Sequence, residues 1–345
     1  MLDAENLGGG GCAPPIRVGR FTLSGGAFLA PMAGVTDSAM RRIALRFGAT
    51  AAVGEMVAAA GLARGDRETR MRLAPSTSER GPEIVQIAAC DPESAARAAR
   101  SAIEAGAEWI DLNMGCPCKR VTGGLAGAAL MRDLDLARRI VAAAVEAARV
   151  PVSVKMRLGW DEASRNAPEV ARGVEEEGAA LVTVHGRTRR QFYEGRADWA
   201  AIAAVKAAVR VPVVANGDCD SPQAAKEMLR LSGADAVMIG RAAQGRPWLV
   251  GDAAHYLETG HLRPEPSLTE RLEIAREHLE ALSHAMGPLA GLRHARKHLA
   301  AYVDCAGLGA RDPFRRRALL VETDLDEARR LLGALFSRPA LGAAA

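Results

Sequence analysis

From Ala27 to Glu258 the apolar and polar positions follow one recurrent block: a short β-rich apolar run, a polar or glycine-bearing loop, then an Ala-rich amphipathic stretch. Short apolar runs bounded by turn residues and separated by helical stretches predict repeated βα units on a parallel sheet. The runs fall at Ala27 to Met32, Ala51 to Met56, Glu83 to Ala88, Trp109 to Met114, Val150 to Met156, Leu181 to Gly186, Val211 to Gly217 and Ala236 to Gly240. Eight such strands close a (β/α)8 TIM barrel; an open doubly wound sheet is the competing arrangement. Between the runs, PESAARAARSAIEAG and SPQAAKEMLRLSG begin near Ser or Pro and end at Gly, the start and stop chemistry of helices.

The texture changes after Arg263. PEPSLTE is a Pro-rich junction, and helix-period sequence without strand-like runs follows it. The pattern therefore predicts a flexible leader at 1–18, a catalytic barrel at 19–262 and an all-α domain at 263–345. A length of 345 residues suits one barrel of roughly 250 residues plus an appendage. Hydrophobic residues at 49% can supply a core without staples, and aromatics at 4% leave its volume to Ala, Val, Leu and Ile. The six cysteines, Cys12, Cys90, Cys116, Cys118, Cys219 and Cys305, are scattered and preceded by no export signal, so reduced thiols in a cytoplasm are expected. Charges or glycines interrupt every apolar run, so no membrane span is expected.

Net charge is only +4, so any nucleic-acid affinity has to come from local clusters. One lies between Gly291 and Arg317, where Arg293, Arg296, Lys297, Arg311, Arg315, Arg316 and Arg317 face only Asp304 and Asp312.

Barrel chemistry sits at the C-terminal ends of the strands. There the sequence places Pro31-Met32-Ala33, Gln86, Asn113 through Pro117, Lys155, His185-Gly186-Arg187, Asn216-Gly217-Asp218 and Gly240-Arg241. The last two groups suit a phosphate: Gly217 and Gly240 let backbone N–H groups approach an anion, and Arg241 adds charge. Taken alone they also suit ordinary turns. Lys155 in an apolar strand calls for an anionic partner, which could be an electron-rich flavin, a Schiff-base substrate or a carboxylate. Cys116, at a turn between Gly115 and Pro117, is either an inert buried thiol or a protonated general acid. Cys118 beside it lacks the further Cys or His cluster that a zinc site needs, so no metal is expected. No strand-linked G-x-G-x-x-G or P-loop appears, so a nicotinamide would visit only as a co-substrate.

LAPMAGVTD (Leu29 to Asp37), DLNMGCP (Asp111 to Pro117), VKMRLGW (Val154 to Trp160), VHGRTRRQFYEG (Val184 to Gly195), VVANGD (Val213 to Asp218) and MIGRAAQGRPW (Met238 to Trp248) occur in this order. On these motifs the chain resembles the bacterial tRNA-dihydrouridine synthases, and among them the B-type branch, from about Gly19 to Asp304. The resemblance implies FMN held by Pro31, Met32, Ala33, Gln86, Lys155, Asn216, Gly217, Asp218, Gly240 and Arg241, with His185 close by. It implies that NADPH reduces the flavin, that hydride passes from N5 to C6 of a uracil, and that Cys116 protonates C5. Asn113 and Arg187 are then expected to contact the base. Position 118 departs from the family pattern, which has a small non-thiol residue there.

A tRNA substrate must surrender its target base to the pocket, at a cost of a few kcal/mol that phosphate contacts help offset. Arg293, Arg296 and Lys297, at helical spacing, are expected to form a tRNA-contacting stripe. No obligate protein partner is expected, and the enzyme is expected to act as a monomer. The alternative enzyme is an FMN barrel acting on free pyrimidines or dihydroorotate. A Schiff-base lyase using Lys155 and a non-catalytic RNA-binding barrel are the remaining rivals.

Overall fold

A computed structural model describes residues 15–64, 67–76 and 80–337 of the chain. They divide into two compact units, one running up to Arg241 together with Trp248–Leu262, the other Ala242–Pro247 together with the described residues from Arg263 onward.

In the first unit the barrel strands are β1 (Ala27–Leu29), β2 (Ala51–Ala52), β3 (Ile84–Ala88), β4 (Trp109–Met114), β5 (Val152–Arg157), β6 (Leu181–His185), β7 (Val213–Asn216) and β8 (Ala236–Ile239). Every pairing among them is parallel, β8 returns to β1, and a bridge from Val53 to Ile84 joins β2 to β3. All eight expected strands are present and the barrel closes. A further short strand, Val57–Ala58, extends the pairing at the C-terminal end of β3.

The expected leader is only partly accessible to comparison, because residues 1–14 lie outside the described ones. Ile16–Val18, inside its predicted span, is instead a strand paired antiparallel with Phe21–Leu23. The turn between them uses Gly19 at φ +55, where a Cβ would meet the Pro151 ring at 2.4 Å. Sequence reading missed this hairpin because three-residue strands carry almost no periodicity.

Side chains two apart on a strand share a face. The inward face is apolar in its lower part: Phe28, Ala51, Ile84, Trp109, Leu181, Val214 and Ala236 pack with Ile16, Val18 and Leu23 of the hairpin. Further along the same strands that face turns polar. The register aligns Gln86, Asp111 and Ser153, then Asn113, Lys155 and Thr183, then Arg157, His185 and Asn216. The outward residues, among them Leu112, Val154, Met156 and Val182, are fully buried and apolar.

The helices start as their sequences predict. Pro92–Glu104 begins at Asp91, whose side chain accepts from the Ser94 N–H, and Pro222–Ser232 begins at Ser221 and ends at Gly233 in the left-handed region.

The second unit is helical: Leu268–Met286, Pro288–Cys305, Pro313–Val321 and Leu325–Phe336 are its longer helices. Ser267 and Glu270 form a capping box at its first helix, within the Pro-rich junction. Among the described residues no helix is long and apolar enough to cross a membrane.

Candidate active site at the barrel mouth

Much of the polar upper interior is joined by hydrogen bonds. At its base the Asp111 carboxylate, 3% exposed, accepts from Ser153 Oγ at 2.5 Å and from Gln86 Nε2 at 2.7 Å, while Trp109 Nε1 donates to Ser153. Gln86 Oε1 then accepts from Asn113 Nδ2 at 2.8 Å, and Asn113 Oδ1 accepts the N–H groups of Gly115 at 3.1 Å and Cys116 at 2.9 Å. Both ends fix its polarity, because a carboxylate only accepts and a peptide N–H only donates. Asn113 and Gln86 therefore shape the turn that carries Cys116.

Cys116 is partly buried, whereas Cys118 is exposed; both are free thiols. Burial pushes the Cys116 thiol above its ordinary value, outweighing the Cys118 backbone hydrogen bond and the Arg157 and Lys155 charges that pull it down. The thiol is protonated at neutral pH.

Three cations surround the turn and the loop after β6. Lys155 donates to Asn216 Oδ1 at 2.9 Å, and Asn216 in turn donates to the Met238 carbonyl. Burial, reinforced by Arg157, pulls Lys155 down to about 8 despite Asp111. Burial likewise drives Asp111 up to about 6, against the pull of Ser153, Gln86 and Lys155. Arg157, 1% exposed, is lowered to about 10 by burial and so stays charged at neutral pH. It donates to the carbonyls of Gly115 at 2.7 Å, Thr188 at 2.9 Å and Phe192 at 2.8 Å.

The third cation is Arg187. Its guanidinium is 1% exposed and donates to the carbonyls of Glu194 and Gly195 and to the Asp218 carboxylate. It is the anchor of the loop after β6. Its Nη1 also lies 3.2 Å from His185 Nε2. A guanidinium cannot accept, so Nε2 offers its lone pair and the imidazole proton sits on Nδ1. Burial, then the charges of Lys155, Arg157, Arg187 and Arg241, hold His185 well below the usual imidazole range, so the ring is neutral.

Asp218 sits at φ +56. Burial raises its carboxyl, but Arg187, the Ala197 N–H and Arg241 outweigh this and leave it below the usual carboxylate range. Gly217, at φ +120, is pressed against the His185 ring, where a Cβ would come within 2.9 Å. Gly240 lies beside Met32: a Cβ there would be 3.6 Å from the Met32 sulfur. Thus the ends of β1, β7 and β8 meet, with Pro31 and Met32 partly buried and Ala33 exposed. Arg241 reaches Asp218 Oδ1 at 3.2 Å and lies 5.0 Å from the centre of the Tyr193 ring.

The predicted basic stripe of the helical unit divides. Arg293 and Lys297 are exposed and line one surface cavity with Met286, Leu289, Ala290 and His294. Arg296 instead donates to the carbonyls of Val321 at 3.1 Å and Glu322 at 2.7 Å, at the C-terminal end of Pro313–Val321. A spacing of three residues allowed a shared face, but this side chain is spent on a helix end.

Asp111, Ser153, Arg157 and Tyr193 were not singled out from the sequence. The signal for Asp111 and Arg157 was present, since each is a charge in an otherwise apolar strand, as Lys155 is.

Residues 28–338 match the protein family described as dihydrouridine synthase. The chain is 45% identical over 310 residues to the probable tRNA-dihydrouridine synthase of Rickettsia conorii, covering 90% of this chain and 93% of that one. It is 50% identical over 287 residues to tRNA-dihydrouridine synthase B of Xanthomonas campestris pv. campestris, covering 83% and 86%. Among solved structures, a histamine dehydrogenase from Rhizobium sp. 4-9 superposes with a TM-score of 0.54 at 15% identity over 72% of this chain; the chain spans about half, 49%, of that protein. A variant of NCR from Zymomonas mobilis superposes with a TM-score of 0.52 at 16% identity, covering 72% of this chain and 90% of that one. These two likenesses concern the fold alone.

Proposed function

The chain belongs to the dihydrouridine synthase family, and from that premise we propose that it reduces the C5–C6 double bond of uridine in tRNA, with FMN as resident redox group and NADPH as electron donor. The observation that carries this reading is the neutral thiol of Cys116, held at the barrel mouth on a turn pinned by Asn113 and Arg157, with Lys155 close enough to act on its titration.

The residues present suit a flavin and its phosphate. Lys155 is a desolvated ammonium whose lowered titration an anion would reverse. His185 is neutral with a donor at Nδ1, and Gly217 and Gly240 keep the backbone bare where β7 and β8 end. In this reading Pro31, Met32, Ala33, Gln86, Lys155, Asn216 and His185 line the flavin, while Gly217, Asp218, Gly240 and Arg241 hold its phosphate. Asp218 acts by steering Arg241. When bound, FMN takes electrons from NADPH and supplies the hydride that uridine needs at C6.

The protein supplies the proton and the geometry. Cys116 gives its Sγ–H to C5, and the thiolate left behind lies in the field of Lys155 and Arg157 until solvent reprotonates it. Asn113 keeps a second amide hydrogen with which to hold the base, since its first is given to Gln86. The helical unit contributes Arg293 and Lys297 to tRNA binding.

The test is nucleoside mass spectrometry of unmodified tRNA after incubation with the purified protein and NADPH. Dihydrouridine, two mass units above uridine, is the expected product. Its absence, together with reduction of free uracil or of no pyrimidine, would overturn the reading.

A further inference from the structure

Loops after three consecutive strands, β4 to β6, meet in a stack of cations and aromatic rings beside the turn of Cys116. The Arg132 guanidinium lies 4.9 Å from the centre of the Trp160 ring, Arg189 lies 4.8 Å from the same ring, and Arg189 lies 4.8 Å from the ring of Phe192. Arg132 ends the short turn Gly127–Arg132, whose Ala128 N–H donates to the Cys116 carbonyl at 3.1 Å. Four steps along such a turn put Arg132 about 8 Å from that hydrogen bond.

The stack is rigid. Beyond the ends of β5 and β6 the backbone stays paired: Leu158 N–H donates to Arg187, Arg189 N–H to Gly159 and Arg190 N–H to Trp160, at 3.1, 2.9 and 3.0 Å. Phe192 is held at φ +49, an expensive conformation for a bulky residue, by its own N–H to the Arg189 carbonyl and by Arg157 on its carbonyl. That conformation keeps the ring 37% exposed while it packs on Arg189.

The charge on the stack is unneutralised. Among the described residues neither Arg132 nor Arg189 is paired with a carboxylate, and Nε of Arg189 is buried without a hydrogen-bond partner. Asp133, next to Arg132, caps Leu136, and the acids next to Trp160 are committed elsewhere, Asp161 to Ser164 and Arg190, and Glu162 to Arg165. Stacking occupies the faces of a guanidinium and leaves its edge donors in a fixed plane, the geometry that binds phosphate bidentately with little entropy lost.

We propose that the Arg132–Trp160–Arg189–Phe192 stack is a docking surface for the phosphate backbone of the substrate tRNA, next to the nucleotide presented to Cys116. The proposal rests on the tRNA-reductase reading and adds where the barrel itself grips the RNA. NADPH also carries phosphates, but a ladder of alternating cations and rings, open to solvent at Arg132 and Phe192, suits a continuous strand.

The experiment measures tRNA affinity of the flavin-loaded protein against salt, and separately the NADPH-dependent bleaching of its flavin. In R132A/R189A the expected Kd is weaker by about tenfold or more, and the slope of log Kd against log salt is shallower by about 2, one for each phosphate that the variant no longer neutralises. W160L keeps both charges and is expected to weaken binding several-fold at an unchanged slope. NADPH saturation of the bleaching step stays at the parental value in both variants. Parental tRNA affinity and slope in R132A/R189A would overturn the proposal alone, as would a defect confined to NADPH. A parent protein that binds no tRNA removes the functional reading and this proposal with it.

Discussion

Arg157 Nε donates to the carbonyl of Gly115 at 2.7 Å, so a buried strand-five cation holds the peptide immediately before Cys116. The same guanidinium holds Thr188 and Phe192 in the loop after β6. Replacement by alanine strands three carbonyls, each costing about 1–3 kcal/mol where water cannot replace the donor. R157A is expected to lower the melting temperature by several degrees and to slow tRNA-dependent turnover at least tenfold. R157K, a point charge without the planar fork, should recover part of the stability and little of the turnover. Full turnover in R157K would show that the clamp does not position the thiol.

The two neighbouring cysteines should behave differently. Removing a general acid costs typically 10²–10⁴-fold, so C116A should slow tRNA reduction by about that factor while NADPH still bleaches the flavin. C118A should retain parental turnover, since its thiol is exposed and its hydrogen bond to Cys116 comes from the backbone, which alanine keeps. Single-turnover stopped-flow on the two half-reactions separates these outcomes. A C118A defect equal to that of C116A would point to a shared redox pair instead.

Lys155 gives a pH signature. Its folded-state value is about 8 against an ordinary 10.5, so between these pH values the unfolded chain holds more protons than the folded one. Stability of the flavin-free protein therefore rises from pH 8 to pH 10.5, by about 3 kcal/mol in all. K155M should lack that rise and be the more stable protein at pH 7. Denaturant melts of both across this window measure the difference, and parallel curves would mean that the ammonium is not desolvated. Bound flavin should move the window upward by restoring an anionic partner.

In the helical unit the expected stripe splits into two behaviours. R293E/K297E should weaken tRNA binding with the melting temperature unchanged, because both side chains are exposed. R296E should instead destabilise the unit, by about 1–3 kcal/mol, by leaving the Val321 and Glu322 carbonyls without their donor and setting a negative charge at a helix C-terminus. Equal melting of R296E and the parent would contradict that placement.

The barrel was legible because its signal is redundant. Eight apolar runs separated by helical stretches leave few topologies, and strand ends mark where polar residues belong. Lys155 stood out as a charge in an apolar run, and so did Asp111 and Arg157, but their meaning depends on register. Asp111 faces Gln86 and Ser153, and Arg157 faces His185, only because of how four separate strands align. A single sequence does not state that alignment. Arg187 shows a different limit: its place after β6 is legible, but the fold of the 188–196 loop back onto its guanidinium is not. The hairpin at Ile16–Leu23 was missed for want of length.

The most direct test of the account is one anaerobic cuvette. Purified protein is reduced with a limiting amount of NADPH while its visible spectrum is followed, and unmodified tRNA is then added. The account predicts a flavin band that bleaches with NADPH and returns with tRNA but not with free uracil, and a return that slows at least a hundredfold in C116A. A band that returns with free uracil, or a protein that takes up no flavin, would contradict it.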